Sequence, residues 1–346
     1  MRCALARGAA TERRIAGLGD IEFRLTLRCS DNRSPLFSAN ERQCSRGLRL
    51  NVEPLGALIG QSPGSVFRSL SPKYGKYART RTMDQPPRKS IQLNSVTTAY
   101  LDVGQGETMV ALHGIPTSSL LFAPLVPSLS KYRLIAPDLL GQGRTETPST
   151  GPLDYSAYAD HLHAFMRAVP PEHFHLLVHD LGGVLGLDWA TENSERLESL
   201  IILSTTVTES LRVGKLLYAA NLVLGQSLLR WGMPSTLKRP QRLDSALMEE
   251  WVKPWTRHRV LRGMDHFAGH HLQRIRSRLG RLGVPALIIW GEQDHIFPLR
   301  HASSILQALP EAKMRTIKRC GHWSPLDAPD EIAQCITEFF RARGHV

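Results

Sequence analysis

From about residue 90 onward, apolar residues gather into short unbroken runs of strand length, separated by longer stretches with apolar positions at helical spacing. Residues 108–112, 132–136, 174–178, 199–203 and 285–290 are such runs. Runs this short and this apolar suit strands buried on both faces. A hairpin over residues 91–93 and 96–102 opens the series, and Gly104-Gln105-Gly106 turns into the run at 108–112. The spacing predicts helices over 119–129 and 155–169, and residues 313–318 read as a last strand. Strands alternating with helices predict the α/β class, a mostly parallel sheet with helices on both faces. Between residues 204 and 282 the pattern changes to helical spacing with little strand signal and clustered tryptophans. That predicts a helical insertion after the sixth strand, over about residues 205–280.

The run at 174–178 ends in His179-Asp180-Leu181-Gly182-Gly183 and then turns helical. A strand that turns sharply into a helix needs small residues at the corner, which Gly182 and Gly183 supply. Such a corner lifts the side chain of Asp180 over the sheet edge, and the N–H groups that open the helix, Leu181 first, face an anion there. A carboxylate in that place can attack carbon and leave an ester on the protein. Asp is also a common helix N-cap, and these five residues alone leave that role open. Their company narrows it. The run at 108–112 ends in His113-Gly114-Ile115-Pro116-Thr117-Ser118-Ser119, the run at 285–290 enters the acidic loop Gly291-Glu292-Gln293-Asp294, and Gly321-His322-Trp323 follows the last strand. Nucleophile, acid and histidine thus stand in the chain order of a hydrolase with a nucleophile elbow. A second match to that elbow pattern, Gly60-Gln61-Ser62-Pro63-Gly64, fails chemically. The residue after the nucleophile must lend its N–H, and proline has none.

These four segments resemble the α/β-hydrolase fold family over residues 90–341, and within it the aspartate-nucleophile branch of haloalkane dehalogenases and epoxide hydrolases. The resemblance implies Asp180 as nucleophile, His322 as base, Asp294 as its carboxylate partner, and the N–H groups of Ile115 and Leu181 as the oxyanion hole. It implies a small apolar substrate and water as reaction partners, without a cofactor. It also implies that residues 205–280 form a cap over the site, with Trp231, Trp251, Trp255 and Tyr218 as pocket candidates beside Met233 and Phe267. Helix packing would use the same residue types. Carbon–halogen cleavage is the leading expectation, because Pro116-Thr117-Ser118-Ser119 resembles the dehalogenases. Two departures bear on it: dehalogenases commonly carry Trp where Leu181 stands and Asn where Ile115 stands. Epoxide hydrolysis is the alternative, although the pair of cap tyrosines it uses is reduced to Tyr218. A slow or non-catalytic ligand-binding protein on the same fold is the second alternative.

Charge changes the picture at one end only. The formal net charge is +12, but residues 1–82 hold 15 Lys and Arg against 6 Asp and Glu, so that +9 belongs to this stretch and +3 to the rest. With little periodicity and no hydrolase motif, residues 1–82 read as a basic, disordered leader, or as translation assigned from too early a start, and residues 83–346 as the hydrolase domain. Sparse aromatics among the arginines speak against nucleic acid, and the leader lacks the apolar core of a secretory signal. Of five cysteines, Cys3, Cys29 and Cys44 lie in the leader and Cys320 and Cys335 in the domain. That is no disulfide framework, and it fits a reducing, cytoplasmic setting. No apolar stretch is long enough to span a bilayer, and the pairs His161/His163 and His173/His175 make no metal motif.

Overall fold

A computed structural model describes residues 11–15, 23–27, 86–151, 153–208, 226–256 and 270–344. The chain divides into two compact units, Met1–Lys76 and Tyr77–Val346. In the first, β1 (Thr11–Ile15) and β2 (Phe23–Leu27) pair antiparallel, Thr11 opposite Leu27. The pair lies within the stretch read as a basic leader; the remainder of residues 1–82, including Ser62, lies outside the described residues.

The second unit is built on a sheet of eight strands in the order β10-β9-β8-β7-β5-β6-β4-β3. They are β3 (Arg88–Leu93), β4 (Val96–Val103), β5 (Glu107–Leu112), β6 (Tyr132–Pro137), β7 (Phe174–His179), β8 (Leu197–Leu203), β9 (Ala286–Gly291) and β10 (Lys313–Ile317). The pairs β3/β4 and β4/β6 are antiparallel and all others parallel. β7 and β9 are buried along their whole length, as unbroken apolar runs demand when helices cover both faces.

Side chains alternate between two cores. Val110, Leu112, Leu176, Val178, Leu200, Ile202, Ile288 and Trp290 face one layer. That layer contains α1 (Tyr155–Ala168), α2 (Asp180–Ala190), α5 (His270–Leu279) and α6 (Arg300–Ala308). Met109, Ala111, Leu177, Ile201, Leu203, Leu287 and Ile289 face the other, with α8 (Pro329–Arg341) and the turn at Ser119–Leu125. α7 (Ser324–Asp327) leads into α8. The turn at Ser119–Leu125 is 3-10 rather than the longer α-helix expected over 119–129. Pro124 inside it has no N–H for an α-helical bond.

The described part of the insertion after β8 is helical: α3 (Gln226–Thr236), α4 (Ser245–Val252) and the start of α5. The Asp244 side chain caps α4 by accepting from the N–H of Leu247 at 2.7 Å. Met233, Leu237, Leu247, Met248, Trp251 and Val252 all join the second core, so this segment packs on the sheet unit.

The strand order decides where a site can form. β5 pairs with β6 on one side and β7 on the other, so the connection after β5 runs to β6 on one side and that after β7 runs to β8 on the other. At such a switch point the loops beyond the carboxyl ends of two parallel strands diverge and open a crevice. Those loops carry Ile115 after β5 and Asp180 after β7.

Because the strands of the eight-stranded sheet begin at Arg88, a chain starting at Met83 is expected to fold alone. Its thermal unfolding midpoint and its activity should match those of the whole chain. Insoluble or inactive protein would move the domain boundary toward the N-terminus.

Candidate active site

Asp180 is the first residue of α2 and has φ +52, the left-handed region that a non-glycine residue occupies at a cost of about 1–3 kcal/mol. Its neighbours hold it there. Its N–H donates to the Ser204 carbonyl at 3.1 Å, and its own carbonyl accepts from Thr205 Oγ1 at 2.6 Å. The strained corner turns the chain from β7 into α2 within one residue. Close packing completes the corner. A Cβ on Gly182 would lie 2.3 Å from the His113 carbonyl oxygen, and one on Gly114 would lie 2.1 Å from Asp180 Oδ1. Any side chain at Gly114 would therefore occupy the place of the carboxylate.

The Ile115 N–H donates to Asp180 Oδ1 at 2.8 Å, leaving Oδ2 as the oxygen free to form a new bond. The Leu181 N–H lies in the first turn of α2, where no carbonyl of the same helix can accept it. Upstream, the loop that carries Ile115 is pinned to the loop after β6. His113 Nε2 accepts from the Leu139 N–H at 2.8 Å, so Nδ1 bears the proton and donates to the Gly114 carbonyl, also at 2.8 Å.

His322 joins the site from beyond β10 and is 1% exposed. Its Nδ1 donates to Asp294 Oδ2 at 3.1 Å, and its Nε2 lies 3.4 Å from Asp180 Oδ2, an ion-pair distance without the alignment of a hydrogen bond. Asp294 Oδ1 accepts the N–H groups of Ile296 and Phe297 at 2.9 and 2.8 Å, which sets the plane of the carboxylate. The structure thus brings together Asp180, Asp294, His322 and the Ile115 N–H.

Burial opposes a charge on His322, but the carboxylates of Asp294 and Asp180 outweigh it and raise the imidazole to about 9. The two acids respond in kind. Burial favours their neutral forms, yet the His322 cation, aided by the N–H groups of Ile115 and Phe297, holds both below their ordinary value. At neutral pH the centre is therefore an imidazolium between two carboxylates.

Sequence reasoning missed His179. It is fully buried, and burial, with the His322 charge acting in the same direction, lowers it to about 4, so it is neutral. Its Nε2–H donates to the His322 carbonyl at 3.0 Å. Asp327 was missed too. It accepts from the N–H of Gly321 at 2.9 Å and from those of Lys238 and Arg239 at 2.8 Å, tying the histidine loop to the insertion. His179 had a legible signal, its place beside Asp180; Asp327 had none, because its partners are backbone groups far along the chain.

Of the pocket candidates, Trp251 is fully buried and its indole N–H donates to Ser118 Oγ at 3.0 Å, so it offers no free donor. The reason is packing: its ring sits in the second core, 6.5 Å from that of Trp323. Met233 is likewise a core residue. The side chains of Trp231 and Trp255, and all of Tyr218 and Phe267, lie outside the described residues. Among the described residues no group of His, Cys, Asp and Glu could hold a metal ion, and no helix is long and apolar enough to cross a membrane.

The coupling between His322 and its carboxylates has a sign that titration reads. The raised histidine stabilises the fold fully below its ordinary value of 6.5, and this contribution is lost as pH rises through about 9. The depressed acids stabilise it above their ordinary value, and that part is lost as pH falls. Asp180→Asn removes one partner, so the His322 pKa, followed by NMR of its ring nitrogens, should drop below about 9. An unchanged value would mean that Asp180 does not share the proton's field.

Comparison with known proteins places this geometry in context. A family model of the alpha/beta hydrolase fold matches residues 107–329. A cis-3-alkyl-4-alkyloxetan-2-one decarboxylase of Shewanella oneidensis is 28% identical over 279 residues, covering 73% of this chain and 87% of that protein. Among solved structures, a 2-hydroxy-6-oxo-6-phenylhexa-2,4-dienoate hydrolase from Rhodococcus sp. strain RHA1 has a TM-score of 0.64 at 22% identity, covering 74% of this chain and 98% of its own. A structure described as an ancestral haloalkane dehalogenase has a TM-score of 0.65 at 18% identity, covering 75% and 100%. The structural likenesses speak for the fold, and together these relatives single out no branch within the family. With the strand order, the elbow at Asp180 and a family match over residues 107–329, the chain belongs to the α/β-hydrolase fold family.

Proposed function

We propose that this protein is a hydrolase that works through a covalent ester on Asp180. One observation carries the reading: a carboxylate occupies the strained elbow, with Oδ1 on the Ile115 N–H and Oδ2 beside the buried His322. In the first step Oδ2 attacks an electrophilic carbon, and the electrons of the breaking bond leave with the departing group. Esterification removes the Asp180 charge, one of the two that raise His322. The histidine then releases its proton to bulk water, and as neutral imidazole it can take one from the attacking water. That water attacks the ester carbonyl, whose oxygen gathers charge against the N–H groups of Ile115 and Leu181. Asp294 supports the imidazolium that re-forms.

The leaving group is constrained by the donors at hand. A departing halide needs N–H groups to solvate it, yet Ile115 and Leu181 have no side-chain donor and the Trp251 indole is committed to Ser118. An opened epoxide becomes an alkoxide and needs an acid. A strained ring ester needs neither, because its ring oxygen leaves as a carboxylate. We therefore favour an oxetan-2-one, the ring named in the Shewanella oneidensis relative, as the substrate class. Attack at the ring carbon that bears oxygen forms the Asp180 ester and frees a β-carboxylate. Water then gives a hydroxy acid. Alternatively the carboxylate departs as CO2, its bonding pair forms an alkene, and Asp180 is expelled unchanged. Carbon–halogen cleavage is the second reading; it requires an indole donor from Trp231 or Trp255, both on elements of the insertion.

Two measurements test this. His322→Phe should complete the first step and stall before water attack, so intact mass rises by the substrate fragment and the adduct maps to Asp180; Asp180→Ala should give neither adduct nor turnover. An adduct elsewhere, or full turnover in the histidine variant, would overturn the mechanism. A panel of alkyl bromides, epoxides and cis-dialkyl oxetan-2-ones, scored for bromide, diol, and alkene or hydroxy acid, separates the leaving groups. The lactone should turn over fastest. Bromide release abolished by Trp231→Phe or Trp255→Phe would instead establish dehalogenation, diol lost in Tyr218→Phe epoxide hydrolysis, and turnover of none of them a ligand-binding role.

A further inference from the structure

A buried polar network lies outside this chemistry and joins the insertion to the loop that carries Ile115. Arg88, at the start of β3, has a side chain only 2% exposed. Its Nη1 donates to Asp138 Oδ2 at 2.9 Å and to Glu250 Oε1 at 2.8 Å, while Nη2 pairs with Glu250 Oε2. Asp138 also accepts from the N–H of Ser119 at 2.8 Å and from that of Arg144 at 2.9 Å. Ser118 Oγ donates to Glu250 Oε1 at 2.6 Å and accepts from Trp251 Nε1 at 3.0 Å. Two consecutive residues of α4 thus grip one hydroxyl three positions after Ile115. From the sheet side, Asp138 grips the next residue, Ser119. Stability alone is a weak reason for such a cluster, since a buried ion pair is often replaceable by apolar side chains at no loss.

We propose that Glu250, through Ser118, is a positioning residue that couples the seat of helix α4 to the oxyanion donor Ile115. This rests on the Asp180 ester reading for its kinetic consequence. In the first step Asp180 starts charged and loses charge, so the Ile115 N–H favours the ground state. In the second, charge builds on the ester carbonyl oxygen, and the same N–H favours the transition state. Displacing Ile115 therefore slows hydrolysis of the ester and spares its formation. When α4 is seated, Ser118 is held from both of its hydrogen-bonding sides and the donor is in place for the water step.

The full-length chain is tested as Glu250→Gln, as Ser118→Ala, and as Arg88→Met with Glu250→Met. Glu250→Gln keeps the fold testable, because Arg88 stays paired with Asp138, and the double variant removes the Arg88–Glu250 pair while Asp138 retains its two backbone donors. With a cis-dialkyl oxetan-2-one and an alkyl bromide as probes, ester formation should remain near the wild-type rate. Ester hydrolysis should slow by about 10²-fold, the scale of a misplaced reacting group, so the adduct accumulates at steady state. Hydrogen exchange should quicken in the peptide containing residues 114–121 and stay unchanged in β7 and β8. A merely structural role would quicken exchange throughout and slow both steps together, which overturns the proposal. So does wild-type exchange at 114–121 in all variants, whatever the substrate. If exchange quickens locally while His322→Phe traps no adduct, the coupling stands and the ester mechanism falls. If His322→Phe traps the adduct while hydrolysis in the Glu250 variants is unaltered, the mechanism stands and the coupling falls.

Discussion

An imidazolium buried between two carboxylates is the interaction on which the rest of this structure turns. His322, Asp180 and Asp294 come from the ends of three different strand connections, and each would be costly to bury alone. Together they are sustained because every carboxylate oxygen near the cation has a defined environment. Asp294 takes two backbone N–H groups on its far oxygen, and Asp180 takes that of Ile115. The neutral His179 beneath them holds the His322 backbone without adding a second positive charge. A centre of this kind tolerates little displacement, so the surrounding elements are arranged to fix it.

That arrangement is chiefly one of backbone approach. Asp180 accepts a left-handed conformation because Ser204 and Thr205, at the end of β8, hold its N–H and carbonyl. Helix α2 presses on the end of β5 so closely that Gly182 has no room for a Cβ. The result is a carboxylate delivered to the N–H of Ile115 at the point where strand order reverses. Local strain, helix packing and sheet topology therefore serve one geometric end, and a change in any of them would act on the chemistry through the position of a single oxygen.

In the proposed reading, selectivity rests on the donors beside Asp180. The donors beside the carboxylate are backbone N–H groups, suited to an oxyanion that forms on Asp180 itself. A leaving group that departs already stabilised asks nothing more of the protein. The indole of Trp251, one of the pocket candidates, is spent instead on Ser118, in a network that ties helix α4 to the loop that carries Ile115. The insertion thereby has a polar contact with the loop that carries Ile115.

The sequence by itself determined the class, most of the strands and the identity of the charged centre. The reason is that strands buried on both faces must be short and apolar, and an elbow must have glycine beside its reactive residue. Asp180, Gly182 and Gly183 lie within four consecutive residues, so their signal is local. What only the tertiary structure decided depends on partners distant in the chain. The expected helix over 119–129 became a 3-10 turn around Pro124. Trp251, a pocket candidate by resemblance, became a core residue because its ring packs in the second core, with its N–H accepted by Ser118 across 133 residues of sequence. Arg88 and Glu250 look like ordinary surface charges until β3 and α4 meet, 162 residues apart, and bury them together. A charged residue in a linear sequence carries no mark of its burial; whether it is solvated or paired is fixed only when the elements that bear it are packed.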